Sequence, residues 1–211
     1  MYVLHFWPDT ASLIIRLVME ELGLPFTAVK IDRAGGELDS PSYRAMNPLG
    51  QIPAVETPDG PMFETAAILI YLSERHGLAP MAGSPDRAAF LKWLFFTSTN
   101  VHTTLLQLFY PERTAGAENV EAVKTQARAK LAQFLAILEG VAQGRPAYLS
   151  DQQPSVLGYC IAVLMRWIAA DFPSTDYPAL RRVLAALETR PAALNCARDE
   201  GLGPTIFTQP V

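Results

Sequence analysis

The chain is 211 residues long and half hydrophobic, with 17 basic against 21 acidic side chains and a formal charge of −4. That length fits one large domain or two small ones, each able to bury a core of its own. The charge balance lacks the clustered lysine and arginine that a row of phosphates demands, which argues against nucleic acid or a membrane surface and for a small molecule or another protein as partner.

Tyr2 to Trp7 predicts a short buried strand. It has no basic leader, and Pro8 and Asp9 interrupt it before signal-peptide length, so a cytoplasmic protein is expected. Leu13, Leu17 and Leu22 recur at helical spacing, and Gly23 ends that helix. Thr27 to Ile31 alternates as a second strand does, which makes the opening a β-α-β unit with parallel pairing. A polar loop, Asp32 to Ser40, leads to a short helical piece around Pro41 to Met46. Ile52 to Glu56 and Pro61 to Phe63 predict two strands joined by a tight turn at Thr57-Pro58-Asp59-Gly60. Thr65 to His76 predicts a helix with Gly77 as its stop. This order of elements is a thioredoxin-like α/β arrangement, assigned to residues 1–78.

Leu78 to Gly83, rich in proline, glycine and alanine, predicts a linker, and Ser84-Pro85-Asp86 carries helix-start signals. Helical patterns then cover Pro85–Phe109, Asn119–Val141, Ser155–Ala170 and Pro178–Thr189, so residues 84–211 are expected to form an all-α helical bundle. Its longest apolar stretch, Tyr159 to Ala170, contains Arg166 and is too short to span a bilayer. Cys160 and Cys196 have neither CxxC nor metal-ligand spacing and are read as buried, inert thiols; no metal is expected.

The most informative stretch is Asn47-Pro48-Leu49-Gly50-Gln51-Ile52-Pro53-Ala54-Val55, followed by Phe63-Glu64-Thr65-Ala66-Ala67-Ile68. Singly, Pro53 is an ordinary turn proline and Thr65 an ordinary helix cap. Together, between strands and before a helix, they resemble the glutathione transferase family. The resemblance implies a cis bond before Pro53 that leaves the backbone of Ile52 to pair, strand-like, with the cysteinyl unit of glutathione. It also implies that Glu64 and Thr65 hold the γ-glutamyl end: the hydroxyl and helix N-terminus take a carboxylate, and Glu64 accepts from the ammonium. Gln51 and Lys30 are offered for the peptide backbone and the glycine carboxylate of glutathione, a co-substrate, with a solvated side chain as the alternative for either. The family's fold, a thioredoxin-like domain plus an all-helical domain, is expected throughout.

Chemistry in this family requires a thiolate near neutral pH, whereas a free thiol titrates near ~8.5. The expected stabilising loop reads Trp7-Pro8-Asp9-Thr10-Ala11-Ser12-Leu13. It resembles the bacterial beta-class pattern with Ala11 in place of the cysteine, which argues against mixed-disulfide chemistry. Thr10 or Ser12 can donate to the sulfur, either can instead cap the helix, and backbone N–H groups with the helix dipole are the remaining option. Trp93 to His102 is similar to the bacterial tryptophan-to-histidine segment. The resemblance implies that His102 faces the sulfur or the acceptor pocket, against a plain interhelical role; Phe95 stands where that class often has a polar contact. Asn100, Phe109, Tyr110, Arg113, Tyr159 and Trp167 are candidates for the acceptor pocket, of which one or two are expected to reach it, the others filling the core. Pro154 to Gly158 lacks the carboxylate of a capping box, which predicts a weaker helix start capped by Ser155 alone.

These features imply an enzyme that activates glutathione against a small electrophile, working as a homodimer with an isologous interface. A non-catalytic glutathione-binding or interaction protein, or a glutathione-dependent isomerase, lyase or peroxidase, fits the same scaffold.

Overall fold

The computed structural model describes residues 1–210; Val211, the last residue of the expected second domain, lies outside them. Strands β1 (Tyr2–Phe6) and β2 (Phe26–Lys30) pair in parallel through helix α1 (Ala11–Glu21). After α2 (Pro41–Met46), strands β3 (Ala54–Thr57) and β4 (Gly60–Met62) add antiparallel, giving the order β2-β1-β3-β4. Helix α3 (Thr65–His76) closes this unit. The third strand starts at Ala54, not at the expected Ile52. Pro53 has no N–H to give a ladder, so the strand begins after it.

The second unit opens with α4 (Arg87–Phe96), which runs through a π-helical turn at Thr97–His102 into α5 (Thr103–Phe109). Thr97 and Thr99 donate hydroxyl hydrogen bonds of 2.8 Å to the carbonyls of Trp93 and Phe95, back-bonding that accompanies the widened turn. Then follow α6 (Glu112–Ala115), α7 (Val120–Gln143), α8 (Val156–Trp167), α9 (Pro178–Glu188) and α10 (Pro191–Glu200). The last of these was not expected. Among the described residues this unit has no strand, no helix is long and apolar enough to cross a membrane, and no group of three His, Cys, Asp or Glu is arranged to hold a metal ion.

Every residue of α8 from Val156 to Arg166 is buried, which is why its sequence is apolar all round. It packs on α1, and one continuous core links Leu4, Leu13, Ile14 and Ile68 with Phe90, Leu157 and Val163. The two units therefore share a core instead of each burying its own. A smaller group of Ile31, Tyr43 and Ala54 lies apart from it. Ser155 caps α8 by accepting from the Gly158 N–H at 2.9 Å. A Cβ at Gly158 would meet the Ser155 hydroxyl at 3.2 Å and Leu187 at 3.3 Å, so glycine there lets α8 approach α9.

Candidate functional site

Glutathione's expected contacts begin at the loop before β3. The Gln51 carbonyl accepts from the Tyr43 hydroxyl and from the Asn47 amide, both at 2.8 Å. Burial pushes the Tyr43 phenol up to about 12, so it stays a donor at any ordinary pH. This double anchor fixes the chain just before Ile52, and the Ile52-Pro53 bond is cis. Neither the N–H nor the carbonyl of Ile52 is hydrogen-bonded among the described residues, so a half-buried backbone edge is left open.

Across from it, α3 begins at Thr65, whose side chain is buried without a described hydrogen bond. Glu64, just before, sits at φ 70° with an exposed carboxylate that no described side chain pairs with. A non-glycine residue there is uncommon, and here the conformation sets an acid and a hydroxyl side by side at a helix N-terminus.

The loop between β1 and α1 supplies the third wall. Thr10 and Ser12 place their hydroxyl oxygens 2.8 Å apart, and both lie within reach of the Trp7 carbonyl, at 2.8 and 3.1 Å. The Trp7 N–H donates to Ser12 at 3.3 Å. Ser12 is wholly buried, whereas Thr10 and Ala11 line a cleft of about 1100 Å³ together with Gln51, Ile52, Pro53, Glu64 and Thr65.

Asp9, at φ 52°, holds this loop in place. Its carboxylate accepts from Arg166 Nε and Nη2, both at 3.0 Å, and from Trp167 Nε1 at 2.9 Å. Arg166 gives a further bond to the Ile206 carbonyl at 3.1 Å. The Asp9 N–H donates to Glu200 at 3.0 Å, and Glu200 in turn accepts from Arg16. Burial raises the Glu200 carboxyl's pKa against the pull of these donors. Thus α8 and α10 brace a loop of the first unit through charge-assisted bonds. The sequence reading missed this clamp: no local signal joins positions 157 residues apart.

The second unit faces the cleft with His102, Leu106, Phe109, Tyr110, Arg113 and Trp167. His102 ends the π-helical turn with its ring 5.8 Å from that of Trp167, and burial lowers its pKa, which keeps it neutral near pH 7.

Several expected residues sit elsewhere. Tyr159 is not in the cleft; it is fully buried and donates to Glu21 at 2.6 Å, because α8 has no exposed face at that position. Asn100 bonds Thr99 at 3.2 Å and does not line the cleft. Lys30 lies outside it too, 4.8 Å over the Trp7 ring, whereas Arg33 lines it. Phe95 is exposed away from it. Four of the six acceptor-pocket candidates line the cleft, more than the one or two expected. Cys160 and Cys196 are both buried, and burial pushes the Cys160 thiol up to about 12.

Comparison with known proteins bears on this geometry. Residues 1–74 match the family model described as Glutathione S-transferase, N-terminal domain. A solved glutathione S-transferase from a sphingomonad, complexed with glutathione, superposes with a TM-score of 0.77 at 29% identity, over 95% of this chain and 100% of that one. The chain has the glutathione transferase fold. Glutathione S-transferase GstA of Escherichia coli O157:H7 is 27% identical over 208 residues, 94% of this chain and 98% of that protein. A probable elongation factor 1-gamma 2 of Arabidopsis thaliana is 34% identical over 93 residues, 41% of this chain. The chain spans about a quarter of the length of the elongation factor 1-gamma relatives that it matches. In the glutathione transferase fold seen here, the open Ile52 backbone, the α3 start and the Thr10 loop belong to the thioredoxin-like unit, and the apolar wall belongs to the helices.

Proposed function

We propose that the chain is a cytoplasmic glutathione S-transferase that binds glutathione along Gln51, Ile52, Pro53, Glu64 and Thr65 and directs its sulfur toward a small electrophile. The observation that carries this reading is the convergence of three features on one cleft: the open Ile52 backbone, the Glu64-Thr65 helix start and the Thr10 hydroxyl. The bound tripeptide pairs with Ile52, sets its γ-glutamyl carboxylate at Thr65 and its ammonium at Glu64, and brings its thiol to the Thr10 loop. Arg33 is available to its glycyl carboxylate.

The hydrogen bonds of the loop support Thr10 as the donor. Two hydroxyls share one acceptor, the Trp7 carbonyl. When Ser12 donates to it, the Thr10 proton is free for the sulfur, and Ser12 still accepts from the Trp7 N–H. Thr10 is the thiolate donor and Ser12, with no access to the cleft, its positioning residue. The loop is a beta-like variant with Ala11 in the cysteine's place, so the reaction needs no protein thiol. Thiolate sulfur attacks the electrophilic carbon, the C–S bond forms, the leaving group departs with its electron pair and the thiol proton goes to solvent. Neutral His102 lines the acceptor side. Positioning of both reactants and the charge-assisted bond to sulfur supply the acceleration.

Saturating the protein with glutathione at neutral pH is expected to produce the ultraviolet band of a thiolate. Binding without the band supports a second reading, a glutathione-binding interaction module, which the elongation factor 1-gamma relatives also suggest. No binding at all refutes both. A two-fold homodimer accompanies the proposal, and a monomeric mass at micromolar concentration contradicts that part.

A further inference from the structure

The helical wall of the cleft carries a run of large apolar side chains and, next to them, a cation without an ion pair among the described residues. Leu106, Phe109 and Tyr110 expose 46%, 42% and 38% of their surfaces, and all three face into the cleft. Large apolar side chains left open together on one wall mark a place for an apolar ligand. Arg113 continues this wall, its guanidinium carbon 4.1 Å from the centroid of the Tyr110 ring. The ring holds the planar group by its face and leaves the N–H edge open. Among the described residues no carboxylate forms an ion pair with Arg113.

The other charges of the cleft are committed or belong to the thioredoxin-like side, where Arg33 lies over the Trp7 ring. Asp9 is bound by Arg166 and Trp167, and Glu64 stands at the start of α3, on the thioredoxin-like side. Among the described residues, the only charge that the helical wall offers an acceptor without an ion pair is therefore positive. A neutral aromatic electrophile would fill the apolar part and leave this guanidinium without a partner.

We infer that the acceptor is an anionic aryl electrophile, its planar body against Leu106, Phe109 and Tyr110 and its carboxylate on the edge of Arg113. This rests on the transferase reading. The reaction is an aromatic substitution: glutathione's thiolate forms a C–S bond at the ring carbon that bears the leaving group, chloride in the probe below, which leaves with the bonding pair.

The test compares 4-chloro-3,5-dinitrobenzoate with its primary amide, each measured against its own uncatalysed rate. Arg113 is exposed to solvent, so the Arg113→Gln substitution is expected to raise KM for the benzoate only about fivefold more than for the amide, with kcat for the two changing in parallel. Added salt should shrink the wild-type preference for the benzoate. Equal changes in KM for the two compounds, or none, overturn the inference. If neither compound reacts, 3,5-dinitrobenzoate and its amide are bound to the glutathione-saturated protein and read by quenching of tryptophan emission. A benzoate preference lost in Arg113→Gln then supports the anion site, and its absence refutes it. The thiolate band, measured without acceptor, reports separately on the transferase reading.

Discussion

Ser12 has no access to the cleft, yet its removal should change the acidity of a ligand it never touches. In the Ser12→Ala variant the Trp7 carbonyl loses the Ser12 hydroxyl, and the Thr10 hydroxyl, 2.8 Å away, becomes the one hydroxyl within its reach. The proton that would reach the sulfur is then held by a carbonyl. A hydrogen bond to a charged group contributes about 1.5–3 kcal/mol, and an open cleft lowers that to about 1–2 kcal/mol. At 1.36 kcal/mol per unit, the bound thiol should titrate roughly one unit higher in Ser12→Ala, and by the same amount in Thr10→Ala. Below both pKa values the thiolate fraction then falls about tenfold, with kcat/KM following it. Because the two hydroxyls act as one device, the double variant should shift no further than either single one. The assay is a pH titration of the thiolate absorbance of bound glutathione. A normal pKa in Ser12→Ala with a raised one in Thr10→Ala would refute the proton sharing; normal values in both would transfer the role to backbone N–H groups and the helix dipole.

Asp9→Ala removes three accepted bonds and leaves the Arg166 guanidinium, its side chain 5% exposed, without its counter-charge. It should cost about 2–4 kcal/mol in denaturant unfolding, less than a fully buried pair because Asp9 itself is 38% exposed. The bound thiol should also titrate higher in that variant, and an unchanged midpoint would remove the clamp from the account. Glu64→Gln and Thr65→Ala should each weaken glutathione about five- to thirtyfold by calorimetry while leaving the pKa of its bound thiol in place; wild-type affinity would contradict the γ-glutamyl assignment. His102 has a pKa lowered from 6.5 by burial, so the unfolded chain binds its proton first and this part of the stability is present above 6.5 and lost as the pH falls below it. His102→Ala should therefore show a smaller loss of stability than the wild type between about pH 7.5 and about pH 5.5, and equal losses would place the titration elsewhere.

Most of the thioredoxin-like unit was legible because local chemistry dictates it: apolar pattern for the strands, and Gly23 and Gly77 for the helix stops; the cis bond before Pro53 followed only from the resemblance to the glutathione transferase family. Errors arose where local pattern carries no direction. Tyr159 lies on a helix buried on all faces, so its spacing could not say which way the ring points, and its partner Glu21 is 138 residues away. Helix α10 did have signals, Pro191 in its first turn and Gly201 after its end, but too few large apolar side chains to draw notice. Thr97 and Thr99 signalled the irregular turn that ends at His102 only through hydroxyls that any helix tolerates. The Thr10-Ser12 pair was visible as two hydroxyls, whereas which of them keeps a free proton depends on the Trp7 carbonyl between them.

The division of labour within the cleft follows from who holds each part. The proposed glutathione contacts are made by backbone and by α3 of the thioredoxin-like unit, anchored through Tyr43 and Asn47 in that same unit. The loop that bears Thr10 is held from the other side, by Arg166 and Trp167 of α8 and Glu200 of α10. On the proposed function, a change in the helical unit should alter the bound thiol's acidity, or the proposed acceptor wall at Leu106 and Arg113, without disturbing the Ile52 edge. Such coupling is energetic and local, through bonds of about 3 Å, and needs no movement of one unit against the other. It requires only that α1 and α8 stay packed on one another, and the shared core that contains both Leu13 and Val163 joins them.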